Sequence, residues 1–139
     1  MLRILAAEDS FPARLFLETV LAEYGRVDTA EDGVRTVELF RKALDEGDPY
    51  DLLVLDIMMP EMDGLSALSR IQELLEEAGV AEQGRPKVVM ASCLTDREHM
   101  MRAHYECGAD VYVTKPYTAQ TLEETLSNLG LTPNPAPEP

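Results

Sequence analysis

Five short apolar runs recur along the chain, each followed by a turn and then by a segment of helical spacing. They are Arg3 to Ala7, Val27 to Ala30, Leu52 to Leu55, Lys87 to Ala91 and Val111 to Thr114. Leu52 to Leu55 is uninterrupted by polar residues, as suits a strand covered on both faces in a parallel sheet. Between the runs, apolar residues sit three and four apart. Phe16/Val20 and Leu17/Leu21 mark a first helix, and Val34, Val37, Phe40 and Leu44 a second. Leu65, Leu68, Ile71 and Leu75 mark a third, Met100, Ala103 and Cys107 a fourth with a thin stripe, and Leu122, Leu126 and Leu129 a fifth. Ser10 is placed to cap the first helix, with Pro12 in its first turn. Gly25, Gly47 and Gly130 are placed to stop helices. Strict strand–helix alternation predicts an α/β fold: a doubly wound, five-stranded parallel sheet with right-handed crossovers. One domain is expected over residues 1–130. Residues 131–139, with four prolines, are expected to be a disordered tail or the start of a linker.

Such a sheet lines up the carboxyl ends of its strands along one edge, where open α/β sheets bind ligands. The residues just past the strands are Glu8 and Asp9, Asp56, Ser92 and Lys115. Asp56 alone could be a turn residue, since Asp is common there. Taken together, three carboxylates, one hydroxyl and one ammonium converge. Two carboxylates about 5 Å apart repel by about 3 kcal/mol at an effective dielectric near 20. Lys115 offsets one charge, and a hard divalent cation such as Mg²⁺, with oxygen ligands, fits the remaining deficit. Lys115 and the metal would clamp a transferring phosphoryl group, with Asp56 as nucleophile.

Composition narrows the alternatives. Twenty-six acidic residues against twelve basic ones give a formal charge of −14, and the basic residues are scattered. A nucleic-acid footprint needs clustered positive charge, so direct nucleic-acid binding is not expected. No apolar run approaches a membrane span, and no signal peptide precedes the first run, which points to a cytoplasmic protein with no membrane insertion. Cys93 and Cys107 form no CxxC motif and read as buried small apolar residues. No GxGxxG or GxxxxGK[ST] occurs. A flavin phosphate would be repelled by Glu8-Asp9. A dehalogenase-type phosphatase would want a second Asp where Met58 stands. His99 and His104, five apart, share no helix face.

The combination of Glu8-Asp9, the run Asp56-x-x-Met59-Pro60-x-Met62-Asp63-Gly64, Ser92, and Gly108-Ala109-Asp110-x-Tyr112-x-x-Lys115-Pro116 resembles the receiver domain of two-component response regulators, of the single-domain chemotaxis type. The resemblance implies a flavodoxin-like (βα)5 sheet of strand order 2-1-3-4-5. It implies that Asp56 accepts a phosphoryl group from the phosphohistidine of a sensor histidine kinase or a histidine phosphotransfer protein. It further implies that Glu8, Asp9, Asp56 and the carbonyl of Met58 hold Mg²⁺, and that Lys115 contacts the phosphoryl oxygens. Ser92 and Tyr112 would be the switch pair, acting on a helix-four/strand-five/helix-five surface read by a downstream protein target. Lys115-Pro116 would be a cis peptide bond. On this reading the chain is no enzyme beyond self-catalysed phosphotransfer and slow autodephosphorylation. The departures are Glu8 where Asp is common, and Cys93 where a small residue is usual. Met58 and Leu94 flank the path of attacking water and cannot orient it, so a long-lived phosphoryl group is expected. The fifth helix lacks Lys and Arg, so Tyr112, Val113, Tyr117 and Leu94 are expected to face a partner other than a second receiver. Two alternatives stand beside this reading: the receiver portion of a longer regulator, and a pseudo-receiver acting as a phosphorylation-independent interaction module.

Overall fold

The computed structural model describes residues 1–93 and 97–134, the side chains at 97, 99, 104 and 105 excepted. The expectations for Leu94, for the side chains of His99 and His104, and for residues 135–139 lie outside the described residues. The order is β1 (Leu2–Ala7), α1 (Phe11–Leu21), β2 (Gly25–Ala30), α2 (Gly33–Asp45), β3 (Leu52–Asp56), α3 (Gly64–Glu77), a 3-10 turn (Glu82–Gly84), and β4 (Lys87–Ser92). Then come α4 (Arg97–Met101), which runs on into a π-helical turn (Arg102–Glu106), β5 (Val111–Thr114) and α5 (Ala119–Asn128). The five strands are parallel in the order β2-β1-β3-β4-β5, as the resemblance implies.

Side-chain alternation along the strands divides the core. Ile4, Ala6, Leu52, Val54 and Val89 pack under α1 and α5 with Leu17, Leu21, Leu122 and Leu126. Leu5, Leu53, Leu55, Val88 and Met90 pack on the other face with Phe40, Leu68, Ile71 and Leu75. Every residue of β3 is buried, which explains its unbroken apolar run. At about 25 cal/mol per Å² of apolar surface, such double-sided burial dominates the stability of the sheet.

Several local expectations change. Gly25 does not stop α1, which ends at Leu21 with Ala22 as its cap. Gly25 instead opens β2, where a Cβ would run into the carbonyl of Leu2 on the neighbouring strand. Gly47 and Gly130 do follow the ends of α2 and α5, in left-handed backbone. Ser10 stands at the N-cap of α1, but its side chain makes no capping bond. On α2 the buried stripe runs through Thr36, Phe40 and Ala43, and Val34 is exposed. Cys107 is buried as expected, whereas Cys93 is exposed, because it follows β4 rather than lying in it. Val113 belongs to the core and not to the surface, since its side chain faces α5. Leu131 packs against the α1/α5 side, and the Asn134 N–H donates to the Glu23 carbonyl at 2.8 Å. Among the described residues no helix is long and apolar enough to cross a membrane.

Candidate functional site

The carboxyl ends of β1, β3, β4 and β5 meet as the alternation predicts. β1 ends at Ala7, and the Glu8 N–H makes one last bond toward β2, to the Ala30 carbonyl at 3.0 Å, before the chain turns into α1. β3 ends at Asp56 itself, where the chain bends tightly. The Gly64 N–H donates to the Ile57 carbonyl at 2.9 Å, and a Cβ at Gly64 would collide with the carbonyl of Asp56. Asp63 caps α3 by accepting from the Ser66 N–H at 2.8 Å. These constraints hold Asp56 under the loop formed by Met58 to Met62.

Glu8, Asp9 and Asp56 each present a carboxylate oxygen, and these three atoms lie within 4.8 Å of one another. Glu8 and Asp56 are 1% and 5% exposed, whereas Asp9 is open to solvent. The Lys115 ammonium donates to Glu8 Oε2 at 2.5 Å and to Asp56 Oδ2 at 3.4 Å. The second oxygen of Glu8 accepts from the Ser10 N–H at 3.2 Å, and Asp56 Oδ1 from the Met58 N–H at 3.4 Å. Glu8 is thus foremost the counter-ion of Lys115. Its buried carboxylate reaches the cluster through the oxygens that also hold Lys115 and Ser10.

The electrostatics follow from burial. Desolvation, reinforced by the Glu8 charge, pushes the Asp56 carboxyl up to about 6, against the opposing pull of Lys115 and the Met58 N–H. Burial alone would lower the Lys115 ammonium, but the Glu8 bond and the Asp56 charge outweigh it and hold it above the ordinary lysine value. Three carboxylates around one ammonium leave about two negative charges uncompensated. All the donors are oxygens, and one side is open through Asp9. That donor set fits a hard cation such as Mg²⁺.

Of the other expected residues, Ser92 is fully buried at the end of β4, and its carbonyl accepts from the Lys115 N–H at 2.8 Å. Lys115-Pro116 is cis. Tyr112 is half-buried on β5 against the α2/α3 side of the core. Met58 is 56% exposed at the mouth of the pocket. It lines a cavity of about 480 Å³ with Asp9, Pro60, Asp63 and Arg102. On the Lys115 side, Ala13, Phe16, Cys93, Pro116 and Tyr117 line an apolar cleft of about 410 Å³. Burial there pushes the Tyr117 hydroxyl up to about 12, and its ring lies 6.0 Å from that of Phe16. The sequence reading passes over Arg14, whose guanidinium bonds the backbone of Glu8 and Asp9. A cation in the first turn of the helix that follows an acidic pair is the available signal.

The sequence model of the response regulator receiver domain matches residues 4–127. The chain belongs to the response regulator receiver family. The receiver is 34% identical over 128 residues to the chemotaxis protein CheY of Halobacterium salinarum, covering 91% of this chain and 95% of that protein. It is 30% identical over 127 residues to CheY of Bacillus subtilis, covering 90% and 94%. Among solved structures, the N-terminal domain of an uncharacterized protein from Wolinella succinogenes superposes with a TM-score of 0.74 at 30% identity, covering 94% of both chains. The receiver is thus a CheY-type domain of two-component signalling, and acidic pockets of this family bind Mg²⁺.

Proposed function

We propose that this receiver is a phosphoacceptor whose reacting group is Asp56. A carboxylate oxygen of Asp56 attacks the phosphorus of a phosphohistidine on a sensor histidine kinase or histidine phosphotransfer protein. The P–N bond breaks, its electron pair returns to the imidazole, and an aspartyl phosphate forms. Glu8, Asp9, Asp56 and the carbonyl of Met58 would hold Mg²⁺, which when bound neutralises charge on the phosphoryl oxygens. Lys115 leaves its 3.4 Å contact with Asp56 for the new phosphoryl oxygens, carrying its charge to where it is needed.

Phosphorylation brings about −1.5 to −2 charge and three strong acceptors. Ser92 donates to one of them, and Tyr112 turns further inward behind it. The surface of α4, β5 and α5 thereby shifts between two packings that a downstream protein reads. A few kcal/mol of differential interaction suffices for such a shift. The observation that carries this reading is the group of three carboxylates within 4.8 Å of one another, two of them buried and paired with the Lys115 ammonium. The test is Mg²⁺-dependent labelling by acetyl phosphate, read by intact mass. Wild type should gain one phosphoryl group and Asp56→Asn none. A folded wild type that gains nothing would favour a phosphorylation-independent interaction module.

A further inference from the structure

Asp9 is the open member of the acidic cluster, yet its carboxylate makes no hydrogen bond or ion pair among the described residues. What places it is therefore the backbone, which sets the origin and direction from which its side-chain rotamers start. Two peptide planes flank its Cα, and the oxygens of both are held by one side chain. Arg14 Nη1 donates to the Glu8 carbonyl at 2.9 Å and to the Asp9 carbonyl at 3.4 Å. Clamping both planes fixes φ and ψ of Asp9, and with them the direction of its Cα–Cβ bond. The usual device for this loop, a side-chain cap from Ser10, is not made. Arg14 is placed by its own helix: its N–H makes the first α1 bond, to the Ser10 carbonyl at 2.8 Å, and its guanidinium carbon lies 5.6 Å from the centre of the Phe11 ring.

We propose that Arg14 is a positioning residue for the cation site, holding Asp9 in its ligating direction through the two carbonyls. This rests on the reading of the pocket as a Mg²⁺ site. Two effects of Arg14 oppose each other. Its charge repels a divalent cation nearby, whereas its clamp preorganises a ligand. Outer groups that orient metal ligands typically change affinity by roughly 10- to 100-fold, and partial screening reduces the repulsion at this half-exposed position. The clamp therefore outweighs the charge.

The sign of the effect decides the matter. Mg²⁺ affinity would be measured by calorimetry on the full chain for wild type, Arg14→Met, Arg14→Gln and Arg14→Lys. Arg14→Met and Arg14→Gln should bind Mg²⁺ about tenfold more weakly. Arg14→Lys, which keeps a single nitrogen donor and the charge but loses the planar guanidinium that places Nη1, should fall between them and wild type. The rate of acetyl phosphate labelling at saturating Mg²⁺ should change by less than about twofold, since Arg14 touches no reacting atom. Unchanged or tighter Mg²⁺ binding in the neutral variants, whatever their melting temperature, overturns the positioning role alone. A wild type that binds no Mg²⁺ overturns the reading of the pocket and this role with it. If Arg14→Met does not fold, Arg14→Lys and Arg14→Gln decide by the same ordering.

Discussion

The two ends of the β-sheet carry similar charged residues and treat them in opposite ways. Near the starts of β1 and β3, Arg3 meets Asp28 and Asp48 at 3.4 Å each, and its guanidinium also donates to the Asp48 carbonyl. The Tyr50 hydroxyl donates to Asp28 at 2.7 Å, the Arg3 guanidinium carbon lies 4.5 Å over the Tyr50 ring, and Asp51 accepts from the Arg3 N–H at 2.8 Å. Arg26 adds a second cation, 3.2 Å from Asp48. Two cations there meet three carboxylates, each of which has a hydrogen-bond or ion-pair partner, and the carboxylates of Asp28 and Asp48 stay about half exposed. At the other end Glu8 and Asp56 are buried and share one ammonium, and Asp9 joins the cluster with no ion pair among the described residues. The first end is a structural tie. The second is a stored charge deficit that only a cation and a change of charge can relieve. Similar residue types thus mean fastening in one place and function in the other, and the difference lies in stoichiometry and burial.

The largest effects should come from forcing a side chain into either end. A Cβ at Gly25 meets the Leu2 carbonyl, and one at Gly64 meets the Asp56 carbonyl; both obstacles are backbone. Gly25→Ala and Gly64→Ala should each cost about 2–4 kcal/mol in denaturant titrations. Only Gly64→Ala should also slow labelling of Asp56 at temperatures where the variant is folded, because only it displaces the reacting residue. Equal slowing by both would erase the distinction between the ends.

Next in size is Asp28→Asn at the Arg3 end. It removes the charge that Arg3 and Tyr50 share, and should destabilise by about 1–2 kcal/mol, with labelling unaffected. A neutral result would mean that the tie is ornamental. The smallest effect concerns water. Met58 sits exposed at the pocket mouth and offers no hydrogen bond to orient an attacking water. Met58→Asn should lose phosphate a few-fold faster in a release time course, about 1 kcal/mol of barrier. An unchanged rate would show that Met58 only shields.

The alternation of strands and helices was legible because burial on two faces leaves unbroken apolar runs, as in Leu52 to Leu55. The cluster was legible because the fold collects strand ends that lie a hundred residues apart in sequence. What the sequence hid depends on contacts between distant backbones. Gly25 looks like a helix stop, yet its reason is the neighbouring strand. Cys93 and Val113 have interchangeable apolar characters, and only the point where β4 ends and the alternation along β5 send one out and the other in. The thin stripe of Met100, Ala103 and Cys107 does not disclose the π-helical turn, in which the Cys107 N–H reaches back to the Arg102 carbonyl at 3.0 Å. Arg14 leaves only a faint trace, a cation in the first turn after an acidic pair, because its partners are backbone carbonyls that any residue carries.

The charge deficit is tested most directly by the stability of Asp56→Asn without divalent cations. The folded carboxyl, near 6, lies above its ordinary value of 3.8, so the native state keeps a proton that the unfolded state releases between those limits. Stability of wild type should therefore fall as pH rises through that window, with the full penalty present above it. A shift of this size corresponds to at most about 3 kcal/mol. At pH 7, Asp56→Asn should unfold at a higher urea midpoint than wild type by the equivalent of about 1–3 kcal/mol. That advantage should vanish below about pH 4 and shrink when Mg²⁺ is added to both proteins. A lower midpoint for Asp56→Asn at pH 7, as expected for Asp28→Asn at the other end, would contradict the deficit and place both ends among ordinary structural ties.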